Sequence, residues 1–103
     1  MLEHKDLKRD MLNTYLEAWN NYDFYLNKID NQIKIMDTLK LKLKGNEILY
    51  KAQKINITEL IERQNDLNDA QNILLDLNSL RKYYLIDILI FNGDLNTIIN
   101  GLG

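Results

Sequence analysis

The sequence contains no proline and no cysteine, only four glycines in 103 residues, and a single histidine. Without proline, nothing forbids helix outright, and the few glycines leave little turn punctuation. Without cysteine, disulfides and thiolate metal sites are excluded, and the redox compartment stays open. A net charge of −2 is too near balance for a general nucleic-acid or membrane-surface binder. The longest apolar run, Tyr83 to Phe91, is broken by Asp87 and falls short of a membrane span. The start, Met1-Leu2-Glu3-His4-Lys5-Asp6, is polar and carries acids, unlike a secretory signal. A place outside the cytoplasm would therefore make this chain a piece of something longer. His4 alone lacks the partners of a metal site and reads as a frayed, solvated terminal residue.

What is present is long helical periodicity. One seven-residue series runs Tyr15, Tyr22, Ile29, Met36, Leu43, Tyr50; a second runs Leu12, Trp19, Leu26, Ile33; a shorter third runs Met11, Ala18, Tyr25. These series lie side by side on one helical face and suggest a coiled-coil-like partner surface. A first arm from about residue 3 to 52 would be roughly 70 Å long, too long to bury its face without a second rod beside it. The aromatic group Tyr15, Trp19, Tyr22, Phe24 and Tyr25 reads as packing at that seam rather than as a ligand platform.

A second arm, about 57 to 92, repeats the pattern. Leu60, Leu67 and Leu74 form one series and Ala70, Leu77, Tyr84 and Phe91 its companion, with Ile73, Leu80 and Ile88 broadening the stripe. Tyr83 to Phe91 is apolar on nearly every side, so the hairpin expects further neighbours in a bundle or oligomer. Asn92-Gly93-Asp94 reads as a stop, leaving a short tail over 93–103.

Between the arms lies Ile48 to Gln71, which holds the reversal. Gly45-Asn46, after Lys40, Lys42 and Lys44, is one possible turn. The other is Gln53 to Asn56, where Asn56 caps a helix with Glu59 three residues on, and Ile55 and Leu60 stand at the positions of a hydrophobic staple. The first-arm repeat passes Gly45 without slipping, so the second site is preferred, and Gly45 then marks a bend or a tight contact inside a helix. Six lysines and two acids between Lys34 and Lys54 would lie beside five acids and one arginine between Glu59 and Asp76. Each sign also suits its own helix end, and the pairing sets register more than stability. The sequence thus predicts an all-α protein of one domain, a long antiparallel helical hairpin with its tip near residues 53–56.

Four stretches, from the tip along the second arm, carry a resemblance. Leu49-Tyr50-Lys51-Ala52-Gln53-Lys54-Ile55-Asn56-Ile57-Thr58-Glu59-Leu60-Ile61-Glu62 is followed by Asp69-Ala70-Gln71, by Arg81-Lys82-Tyr83-Tyr84-Leu85-Ile86 and by Asp94-Leu95-Asn96. Over about Tyr15 to Asn96 the chain resembles the C-terminal helical hairpin of TolC-like outer membrane efflux proteins. The resemblance implies a trimeric export duct whose periplasmic α-helical tunnel is built from such hairpins, with membrane insertion through parts of the parent chain not present here. It implies a periplasmic location; the alternative, if the chain is complete as given, is a cytoplasmic one. The tip, Tyr50, Gln53, Lys54, Ile55, Glu59 and Glu62, would gate the entrance and dock a periplasmic adaptor. Glu59 and Glu62 match paired acids that ring the tunnel mouth and bind cations; a three-fold copy would crowd like charges and favour bound cations or raised pKa values.

Two departures stand out. The family's glycine is Gln53 here, which would be strained at positive φ, and a basic latch residue is Ile55. The same residues also suit a stand-alone hairpin that self-associates, as a dimer or higher, into a protein–protein interaction module. Nothing points to an enzyme or a cofactor: the sequence shows no nucleophile–base pair, no glycine-rich phosphate loop and no Glu-x-x-His motif.

Overall fold

The computed structural model describes the backbone of residues 2–102 and the side chains of 7–94, 96, 97, 100 and 101. The chain is all-α, with α1 spanning Leu2–Lys51 and α2 spanning Ile57–Leu102. The two long helices form an antiparallel hairpin joined by residues 52–56, so the reversal falls at the second of the two turn sites. α1 runs through Gly45 without a break because one glycine in a helix interior costs only about 1 kcal/mol. Gly45 marks no tight contact: a Cβ placed there would meet nothing within 4 Å. His4 lies within α1, and its side chain is outside the described residues.

The stop expected at Asn92-Gly93-Asp94 does not occur. α2 continues through it, and the Thr97 hydroxyl donates to the Gly93 carbonyl oxygen one turn back at 2.9 Å. No proline follows to force an end, and Phe91 and Asn92 are half-buried, which holds the backbone in register there. The tail expected over 93–103 is thus helix up to Leu102.

The residues group into two halves: 27–78, which holds the tip, and an open-end half of 2–26 with 79–102. In the tip half the seam of α1 is Ile29, Gln32, Met36, Leu39, Leu43 and Asn46; that of α2 is Leu60, Arg63, Leu67, Ala70, Leu74 and Leu77. Steps of three and four alternate strictly on both helices, the pattern that keeps one narrow face against one partner helix. Gln32 sits inside this seam, and its amide nitrogen donates to the Ala70 carbonyl oxygen at 3.0 Å.

In the open-end half the seam is Met11, Tyr15, Ala18, Tyr22 and Tyr25 against Arg81, Tyr84, Ile88 and Phe91. Tyr15 stacks on Phe91 with ring centroids 4.5 Å apart, and Tyr25 stacks on Tyr84 at 5.6 Å. Ile88, 2% exposed, is the most deeply buried large side chain.

The first and third apolar series of α1 are therefore buried or half-buried, apart from Tyr50 at the tip, but the second is not. Leu12, Trp19, Leu26 and Ile33 all remain exposed, and so do Ile73 and Leu80 on α2. One neighbouring helix covers a seam two positions of seven wide; a third apolar position per heptad is left facing outwards. The aromatic group divides the same way, with the three tyrosines in the seam and Trp19 and Phe24 exposed.

Candidate functional site

The tip is built by two local devices. At the end of α1 the Lys54 amide donates to the Leu49 carbonyl at 2.8 Å, and the Gln53 amide to the Tyr50 carbonyl at 2.9 Å. These are the paired bonds of a Schellman C-cap, which satisfy carbonyls the helix end leaves open. The motif requires a left-handed residue just past the cap, and Gln53 occupies it with φ of 60°. At the start of α2 the Glu59 amide donates to Asn56 Oδ1 at 3.0 Å, the capping bond expected from the spacing. Ile55 and Leu60, at the staple positions, are both half-buried.

The six tip residues fall within this turn and the helix ends that flank it. Gln53, Lys54, Glu59 and Glu62 are exposed, Ile55 is half-buried, and Tyr50 is 40% exposed although it continues the seam series. Backbone bonds connect Tyr50 with Gln53; among the described residues no side-chain hydrogen bond or ion pair joins the six to one another. Glu59 and Glu62 stand three positions apart on the first turns of α2, where carboxylates complement the helix N-terminus. Among the described residues no three His, Asp or Glu side chains are grouped so as to hold a metal ion.

The charge contrast between the arms does not become cross-helix pairing. Two ion pairs among the described residues run within a helix: Lys34 to Asp30 at 3.4 Å and Arg63 to Asp66 at 2.8 Å. Among the described residues none of the six lysines from 34 to 54 bonds an acid of α2. Long solvated lysines gain little by fixing one geometry, so register falls to the seam instead. A search for apolar series passes over the polar seam residues Asn46, Arg63 and Arg81, and over Gln32, the buried polar one among the described residues. The position of Gln32 was signalled, because the series Met11, Ala18, Tyr25 extended by seven arrives at Gln32 and then Leu39.

Grooves also lie outside the tip among the described residues. One, of about 310 Å³, follows α1 alone between Lys34, Ile35, Thr38, Leu39 and Lys42. Another, of about 160 Å³, lies in the open-end half between Thr14, Tyr15 and Ala18 of α1 and Asp87, Ile90, Phe91 and Asp94 of α2. The second is below the volume of ordinary small-molecule sites, and the first is a furrow on a single helix without an opposing wall. Among the described residues no helix is long and apolar enough to cross a membrane. Compared with protein-family models, with curated proteins and with solved structures, the chain matches none.

Proposed function

We propose that this chain is a helical interaction module, a hairpin whose outer flanks dock other helices. The observation that carries the reading is the second stripe of α1. Leu12, Leu16, Trp19, Leu26 and Ile33 recur at the spacing of a seam yet stay exposed, with Trp19 still at 38% after contacting Tyr15 and Tyr22 edge-on. A helix with two apolar stripes is patterned for two neighbours, and the hairpin supplies one. The test is Leu12→Asp combined with Leu26→Asp. In solutions dilute enough to keep the chain monomeric, circular dichroism should stay unchanged while binding of an apolar dye to the folded chain falls. Lost helicity would refute the reading, because the stripe would then serve the hairpin itself.

A second reading is a tunnel segment of a TolC-like export duct, with the tip meeting a periplasmic adaptor. Its support is the turn: Gln53 takes the left-handed backbone at the position where that family carries glycine. In this reading Glu59 and Glu62, repeated by symmetry, form the cation-binding constriction. Glu59→Gln with Glu62→Gln should then weaken divalent-cation block of the full channel, and unaltered block would remove that role.

A further inference from the structure

We propose that the neighbour is a second copy of this chain, packed against one side of the open-end half with α1 of each copy antiparallel to α2 of the other. The proposal rests on the reading of the flanks as docking surfaces, and three observations select the copy and the side.

The first is area. A compact protein of 12.2 kDa exposes about 6,000 Å², whereas this chain exposes 8149 Å². The difference, roughly 2,000 Å², exceeds the 800 Å² or so that each partner contributes to a standard interface.

The second is sidedness. Thr14, Asp87, Ile90 and Asp94 line one groove together with the seam residues, so these flank positions of α1 and α2 share a side. That side carries the two acids, which a two-fold axis would set near their own copies. Helical periodicity then puts the other flanks on the opposite side: Leu12, Leu16, Trp19, Asp23 and Leu26 from α1, Lys82, Leu85 and Leu89 from α2. This side is largely apolar, with Asp23 and Lys82 at its middle and Arg9 and Asn92 towards its end.

The third is self-complementarity. The register that stacks Tyr15 on Phe91 and Tyr25 on Tyr84 within one copy, repeated between copies, sets Leu16 opposite Leu89 and Asp23 within a turn of Lys82. A two-fold pair makes each such contact twice. The product is a four-helix arrangement in which every neighbouring pair of helices is antiparallel.

The experiment is sedimentation of the full chain at micromolar concentrations, with circular dichroism alongside. The wild type should run at twice the chain mass. Leu16→Glu with Leu89→Glu should stay helical and weaken the dimer at least about 100-fold. Asp23→Lys alone and Lys82→Asp alone should each weaken it about 10-fold, and the double swap in one chain should restore it. A folded monomer overturns the second copy and leaves the flanks to other proteins. A dimer that the swap does not restore overturns this arrangement. Loss of helicity in the Leu16→Glu, Leu89→Glu variant overturns this proposal and the docking reading together.

Discussion

The Gln32 amide nitrogen donates to the Ala70 carbonyl oxygen across the seam of the tip half at 3.0 Å. Both residues are buried, and Ala70 is small enough to leave its carbonyl open to a side chain from the facing helix. A buried amide in a largely apolar seam selects one register, because any slip strands its polar atoms. Among the described residues no buried side-chain nitrogen or oxygen lacks a partner.

Gln32→Leu should therefore change stability by less than about 1 kcal/mol, since the lost hydrogen bond is offset by apolar burial. Gln32→Glu should destabilise by about 2–4 kcal/mol at neutral pH, with a carboxylate facing a carbonyl oxygen. Burial raises the folded-state pKa of that carboxyl, so its protonated form is favoured on folding, and the lost stability returns as pH falls. Urea denaturation at two pH values measures both; a Gln32→Glu variant equally unstable at acid pH would contradict the assignment.

The turn gives the second prediction. Gln53 holds a left-handed backbone with a side chain attached, which costs about 1 kcal/mol relative to glycine. Gln53→Gly should stabilise the hairpin by about that amount, and Asn56→Ala should destabilise it by about 1 kcal/mol through loss of the cap. Chemical denaturation midpoints moving in these opposite directions are the expected result.

Gly45 and Gly93 both lie inside helices, and a Cβ at either would meet nothing within 4 Å. Gly45→Ala and Gly93→Ala should each raise stability by up to about 1 kcal/mol, visible as a higher Tm. An unchanged or lower Tm at Gly45 would indicate that the glycine serves a bend.

Ile88 and Leu89 are chain neighbours with opposite fates, 2% and 59% exposed. Ile88→Ala should destabilise by about 2–5 kcal/mol and Leu89→Ala by less than about 0.5 kcal/mol in the isolated hairpin. Leu67→Asp, in the tip seam, should abolish helicity by placing an unpaired charge there. Equal effects at positions 88 and 89 would refute the seam assignment.

The first helix, the second up to about residue 92, the reversal near residues 53–56 and the Asn56 cap were legible in the sequence, because each rests on residues close together in the chain. The tip residues were legible in place but not in arrangement, since their exposure depends on what lies across the turn. The seven-residue repeat determined which residues share a helical face: Tyr15 with Tyr22, Leu12 with Trp19. It did not determine which of these stripes is covered, and the tertiary structure decided that by placing α2 against Tyr15 and Tyr22 and leaving Leu12 and Trp19 outside. The physical reason is that helical periodicity is a property of local backbone geometry, whereas burial is a property of a pair of surfaces far apart in sequence.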